Sequence, residues 1–295
     1  FYFIHAKTGV MKVDANGETL SQIADGFRNP NGMGVSPSGV ITAAPQQGTW
    51  TPESSLIVVK QGGYYGYAGP RIAEDRPTGW DLPMCFIPRA MDNSGGGQVW
   101  VPDDRFGPLN GQMIHLSYGQ CRMLLALTEN VNGTEQGGTI AFPTFPDDFE
   151  SGIMRGRFNP HDGQLYVSGL RGWQTRAIRD GCLQRVRFTG ARVNLPKAVK
   201  TYTNGIQLTF TDPLDESFAT LPENYFAQQW NYLWSKEYGS PEFSVERPKE
   251  QGRDEVDVLS ATVTDQGYGV FLEMADRHPV HQLQLSWLLA DADGN

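Results

Sequence analysis

The densest polar cluster in the chain is Gly26-Phe27-Arg28-Asn29-Pro30-Asn31-Gly32-Met33. Asn, Pro and Gly make turns for conformational reasons alone. Its simplest reading is a turn entering a strand, with Arg28 paired to a nearby carboxylate. Other residues carry weaker chemistry. His278-Pro-Val-His281 places two imidazoles three apart, but on a strand that spacing sends them to opposite faces, so a surface turn is favoured over a metal site. Asp103-Asp104-Arg105 and Asp147-Asp148 read as solvated turns. Asp92-Asn93-Ser94-Gly95-Gly96-Gly97 suits the mouth of a site or an ordinary loop, and the loop is favoured. Trp50, Trp80, Trp100 and Trp173 offer either a sugar-stacking platform or packing between sheets. Asn132-Gly133-Thr134 is a glycosylation sequon only where the source glycosylates. Cys85, Cys121 and Cys182 form neither a zinc pair nor a haem motif. Cys121 and Cys182 begin strands and look structural, and one disulfide stays open. No Ser-His-Asp or Cys-His arrangement is legible.

These groups need a scaffold, and composition bounds it. The chain has 295 residues, of which 39% are hydrophobic and 19% charged, enough to bury a real core. Its 34 glycines and 19 prolines favour short strands and turns over long helices. The net charge of -9, without a Lys/Arg cluster, excludes a nucleic-acid binder. No apolar run approaches the ~20 residues that span a bilayer. The first residues, Phe1-Tyr2-Phe3-Ile4, are strand-like and lack an initiating Met, which points to a mature product or a piece of a longer chain.

Glycine divides the chain: 28 of the 34 fall in residues 1–190. Within that part a loose repeat recurs. Val35-Ser-Pro37-Ser-Gly39-Val-Ile41 is echoed by Phe106-Gly-Pro108-Leu-Asn-Gly111-Gln-Met113. It returns as Phe158-Asn-Pro160-His-Asp-Gly163-Gln-Leu165. Each copy is a strand end, a tight turn and a second strand. Further strands at Ser55–Lys60, Cys121–Thr128 and Cys182–Phe188 complete blade-sized units, the sign of a β-propeller. A β-sandwich with coincidental turns is the alternative. The likeness of Phe1–Gly17 to Leu165–Gly190 suggests a start inside a blade and little more than three blades. Remaining blades, from the same gene or a partner chain, are then expected to close the ring. From Pro196 the texture changes. Gly205–Phe210, Val256–Thr264, Gly269–Met274 and His281–Trp287 read as strands of a small antiparallel sandwich. The expectation is therefore an all-β chain, with an incomplete six-bladed-type propeller over 1–190 and an Ig-like sandwich over 196–295.

The Arg28 cluster resembles the RNP-x-G segment of soluble quinoprotein glucose and sorbosone dehydrogenases, which are six-bladed propellers. Gln46-Gln47-Gly48-Thr49 resembles that family's Gln-Gly-Pro calcium and quinone loop. Leu56–Tyr67, ending Gly62-Gly63-Tyr64-Tyr65-Gly66-Tyr67, resembles its strand into GGNYGW, and Leu165–Gly172 its later segment that offers a Lys to the cofactor. The whole chain also looks like the large secreted dehydrogenase-like proteins of planctomycete-type bacteria, and LTFTDPLD resembles bacterial Ig-like domains.

The resemblance implies a secreted or periplasmic oxidoreductase that moves hydride from a sugar or alcohol to pyrroloquinoline quinone (PQQ), with Ca²⁺ and with a c-type cytochrome as an electron partner. PQQ is a flat tri-anion, so Arg28 is implied both as a cofactor ligand and as the catalytic group stabilising charge at the quinone carbonyl. Asn29 is an implied ring contact, Gln47 an implied cofactor-binding residue, and Arg171 a partner for a cofactor carboxylate. The carbonyls of Gly48 and Thr49 are implied calcium ligands. Several positions depart from the pattern. Nothing upstream of Arg28 matches the family's general-base His, and His5 is misplaced. Thr49 replaces Pro, and the paired arginines after the Lys segment have no counterpart. Two other readings stand beside it. Pro30-Asn31-Gly32 also resembles a turn of calcium-dependent lactonase propellers, and a propeller-plus-sandwich can serve as a non-catalytic binding or scaffold module.

Overall fold

The computed structural model describes residues 1–5, 9–69, 77–142 and 148–293. Among these the chain is almost entirely antiparallel β. The first sheet holds β1 (Tyr2–His5), β2 (Gly9–Val13) and β3 (Leu20–Ala24). The second runs β4 (Gly32–Val35), β5 (Ile41–Ala44), β6 (Ser54–Val58) and β7 (Cys85–Ile87) in order. The third repeats that order with β8 (Gly95–Trp100), β9 (Met113–Ser117), β10 (Arg122–Val131) and β11 (Thr134–Ala141). The fourth contains β12 (Gly152–Phe158), β13 (Leu165–Leu170) and β14 (Gly181–Val186). Each of the three repeated Pro/Gly turns joins the first strand of a sheet to its second, at β4–β5, β8–β9 and β12–β13.

Successive up-and-down sheets whose first strands lie side by side are the propeller arrangement. Here β8 packs between β4 and β12. Glycine makes that approach feasible. A Cβ on Gly32 would fall 1.5 Å from the Gly96 carbonyl oxygen, and one on Gly96 would meet the carbonyls of Leu116 and Ile153 at 2.7 and 2.8 Å. Gly95-Gly96-Gly97, read from sequence as loop, is thus the buried start of the innermost strand β8. No acidic residue occupies β4, β8 or β12. At the far ends of these strands, Met33–Pro37, Gln98–Trp100, Arg157 and Phe158 line an open groove of about 450 Å³.

The remaining strands form two sheets that face each other. One holds β15 (Pro196–Tyr202), β16 (Gly205–Phe210), β19 (Val258–Thr264) and β20 (Gly269–Met274). The other holds β17 (Tyr225–Trp230), β18 (Asp254–Val256) and β21 (Gln282–Trp287). Their shared core includes Leu208, Phe210, Ala227, Val256, Val270 and Leu272. The strand expected over Val256–Thr264 therefore divides, its first residue serving one sheet and the rest the other. Alternation of apolar and polar residues along β16 and β21 places every second side chain inward, as the period of two requires. No helix among the described residues is long and apolar enough to cross a membrane.

Contact between backbones at the innermost strands predicts a sharp asymmetry among glycines. Gly32→Ala should destabilise by about 3 kcal/mol or prevent folding, because the backbone it meets cannot yield. Gly138→Ala, with nothing within 4 Å of its added carbon, should be neutral. Urea unfolding of the two variants tests the contrast.

Candidate functional site

Arg28 sits in the connection from β3 to β4, and Gln46–Thr49 in the connection from β5 to β6. Phe27 anchors the first, being 1% exposed and packed on Tyr65 at 4.9 Å between ring centroids. The two connections are then pinned together. Gln46 N donates to Arg28 O at 3.0 Å, and Arg28 Nη1 donates to Gln47 O at 2.6 Å. Gly48 leaves room for the guanidinium, since a Cβ there would lie 2.3 Å from Arg28 Nε. Asn29 takes a left-handed backbone, φ 41°, which Asn tolerates better than most residues. Arg105, Arg192 and Arg253 each sit against a carboxylate. Arg28 has no such partner among the described residues. Its charge is met by a carbonyl and by the face of Tyr238, 5.0 Å from the ring centroid.

Beneath this rim lies a fully buried network centred on Asp92. Asp92 Oδ1 accepts from Ser94 N at 2.9 Å and Ser117 Oγ at 2.6 Å, and Oδ2 lies 2.7 Å from His115 Nε2. Gln98 Nε2 donates to Gly96 O and faces His115 Nδ1 at 3.0 Å, while its Oε1 accepts from Thr42. With Gln98 donating, Nδ1 is the acceptor, and His115 carries its proton on Nε2 toward Asp92. Ser, His and Asp thus meet without making a nucleophile: Ser117 donates to the same carboxylate as His115, and all three are 0% exposed. The network's task is positional. Ser94 Oγ accepts from Gln46 Nε2 at 2.5 Å, which ties the core of the third sheet to the residue beside Gln47.

The stretch between β17 and β18 reaches across from the facing sheets. Trp50 N donates to Ser235 O, Gly239 N to Gly48 O and Ser240 N to Pro52 O. Trp234 Nε1 donates to Gly66 O at 3.2 Å and its ring stacks on Trp80. Trp50 packs edge-on to Trp234. Trp50 and Trp80 are therefore packing residues, whereas Trp100 lines the groove and Trp173 is 85% exposed. His281, expected in a surface turn, is instead partly buried against Trp80, Phe86 and Tyr232, and its Nδ1 accepts from Tyr232 N. Burial lowers its pKa below the ordinary histidine value.

This strap bears on the implied calcium ligands. Gly48 O accepts from both Thr51 N, at 2.9 Å, and Gly239 N, at 3.1 Å, which occupies both lone pairs. Thr49 is bridged to Tyr238 through bonds made by its neighbours, Gly48 O among them. Among the described residues no group of three or more His, Cys, Asp or Glu side chains is placed to hold a metal ion. The Gly48 carbonyl does not fit the calcium role assigned to it. Arg171 lies on the exposed loop after β13, its N–H donating to Asp180 O, and is not brought against Arg28 or Gln47. That loop connects to them indirectly. Gln174 Oε1 accepts from Arg89 Nη2 at 3.2 Å, and Arg89 Nη1 approaches Gln47 Oε1 at 3.5 Å.

Arg89, Glu53 and Tyr238 are the site residues that sequence reasoning passed over. Arg89 lies three residues before Asp92 and its polar stretch, a signal of proximity at most. Glu53 follows the Gln47 loop, 7% exposed, and accepts from Ser54 N. Burial pushes its carboxyl up to about 7, opposed by the nearby N–H groups and the Arg89 charge.

No known family profile matches the sequence, and no curated protein matches it. Several solved structures are similar to part of it. A glucose dehydrogenase shares 22% identity at a TM-score of 0.40, over 60% of this chain and 50% of its own. The soluble aldose sugar dehydrogenase of Escherichia coli, in its apo form, shares 18% at 0.35, over 50% of this chain and 43% of its own. The PQQ-bound aldose sugar dehydrogenase of Streptomyces coelicolor shares 14% at 0.38, over 54% and 45%. The chain spans about half the length of these structures or less.

A carboxyl with a raised folded pKa stabilises most below its unfolded value, and that contribution is lost as pH rises through the folded pKa. For Glu53 the window runs from about 4.5 to about 7. Glu53→Gln should therefore be more stable than the parent at pH 8, by at most about 3 kcal/mol, with the difference shrinking toward pH 5. Urea titrations at several pH values read this directly.

Proposed function

We propose that the chain is part of a PQQ-dependent dehydrogenase-like protein that takes hydride from a sugar or alcohol, working outside the cytoplasm. The observation that carries the reading is Arg28: a guanidinium tied to Gln47 O, shielded by one ring face and, among the described residues, left without a carboxylate. An arginine that served only to stabilise a turn would gain more from an acidic partner, and this chain has 33 acids available.

The donor set fits an anionic planar cofactor in part. Arg28, Asn29 and Gln47 are the residues that would hold it, whereas Arg171 stands apart from them on the exposed loop after β13. PQQ, when bound, supplies the two-electron acceptor that no side chain can provide. Arg28 contributes positive charge where negative charge develops, and its fork fixes the orientation of the group it meets. The backbone pinning of Gln46 to Arg28 keeps that fork in place before any ligand arrives, so little reorganisation is needed. The proton of the substrate hydroxyl needs a separate acceptor. His115 is fully buried against Asp92 and does not serve. No step here is assigned to calcium, given the occupied Gly48 carbonyl. Further blades, from the same gene or a partner chain, and a c-type cytochrome belong to this reading as partners. A lactonase is disfavoured by innermost strands that carry no acids.

Arg28→Ala separates this reading from a purely structural one. With the remaining blades supplied, dye reduction with sugars and added PQQ should fall by ~10²-fold per folded molecule, while the melting temperature changes little. Arg28→Lys should keep the charge but weaken binding through loss of the fork. Turnover per folded molecule equal to the parent's, accompanied by a lowered melting temperature, would end the catalytic role.

A further inference from the structure

Arg28 is not the only cation at Gln47. This one residue serves two guanidiniums: its main-chain oxygen accepts from Arg28 Nη1 at 2.6 Å, and its side-chain oxygen lies 3.5 Å from Arg89 Nη1. Arg89 is exposed, and its other terminal nitrogen donates to the Gln174 amide oxygen at 3.2 Å. Among the described residues neither arginine has a carboxylate at salt-bridge distance. Neutral amides hold the arrangement instead. Gln120 Nε2 donates to Arg89 O and to Asn93 Oδ1, and Asn93 Nδ2 donates to Gln174 O. Gln47 Nε2 is itself fixed by Pro52 O at 3.3 Å.

Two like charges drawn to one residue repel each other, and in a chain of net charge -9 a neutralising acid would be easily supplied. Amide oxygens orient the two forks without cancelling their charge, which leaves both available to an oxyanion. Glu53 is the carboxyl on the adjoining segment, and it accepts the Arg89 main-chain N–H. Burial keeps its proton on up to about pH 7, so it does not neutralise Arg89 in mildly acidic solution.

We propose that Arg89 is a second anion-binding residue of this site, forming with Arg28, across Gln47, a two-guanidinium notch for a ligand that carries more than one carboxylate. The identity of that ligand rests on the quinone reading, whereas the notch rests on these contacts alone. A planar tricarboxylate can place one carboxylate on each fork, and a monocarboxylate can use only one.

Isothermal titration of the protein with PQQ, and separately with citrate, tests this at pH 6. Arg89→Gln should weaken both by roughly tenfold or more, with an unchanged melting temperature because the side chain is exposed. Arg89→Lys should recover only part of the loss. Arg105→Gln removes a guanidinium already paired with Asp103 and should alter neither titration. Acetate should bind far more weakly than citrate. If PQQ binds the parent and Arg89→Gln equally well, the notch is wrong and the quinone reading stands. If citrate binds in an Arg89-dependent way while PQQ does not bind, the quinone reading fails and the notch stands. Failure of both ligands to bind the parent overturns both.

Discussion

The arrangement of the candidate site depends on one buried carboxylate. Asp92 is 0% exposed and accepts from Ser94 N, Ser117 Oγ and the His115 ring. A buried carboxylate is expensive unless its lone pairs are used, and three short contacts use them. The outcome is a fixed entry into β8, from which Ser94 reaches Gln46. Gln46 in turn takes the carbonyl of Arg28. The position of the cationic rim is thus set from inside the third sheet, through the second, by hydrogen bonds that add to the packing of Phe27 on Tyr65.

Glycine provides the other half of that constraint. The first strands of neighbouring sheets approach so closely that Gly32, Gly34 and Gly96 each leave a gap that a methyl group would close. Close approach brings the starts of β4 and β8 together, and with them Arg28, Asn31 and Asp92. Asn31 Nδ2 donates to Gly95 O at 3.2 Å across the same junction. Structure near the axis and chemistry at the rim are consequences of one backbone geometry.

Much of the scaffold was legible in the residues. The three Pro/Gly repeats each form the first hairpin of a sheet, because the turn chemistry of Pro37–Gly39, Pro108–Gly111 and Pro160–Gly163 is local. The alternation in Gly205–Phe210 and Gln282–Trp287 likewise follows from the period of a half-buried strand. The family resemblance pointed to Arg28 and to the Gln47 loop separately, as cofactor contacts, and the hydrogen bond that joins them is seen only in the fold. The Asp92 network was not, since its partners lie 23 and 25 residues away on β9 and a polar, Gly-rich run reads as loop. Nor was the strap around Trp234 and Tyr238 foreseen. Its contact with Gly66 closes a separation of 168 residues, and nothing in local composition distinguishes a covering loop from a free one. That strap is also what removes the Gly48 carbonyl from service as a metal ligand.

The central claim is that the Arg28 rim is a prepared anion site rather than a stabilised turn. A crystal structure of the protein soaked with PQQ tests it most directly. The account predicts a ligand carboxylate or carbonyl on the Arg28 guanidinium beside Gln47, with the Asp92–His115–Ser117 contacts unchanged beneath it. A ligand seated elsewhere, with Tyr238 still covering Arg28 and no ligand oxygen within hydrogen-bond distance of its guanidinium, would contradict it.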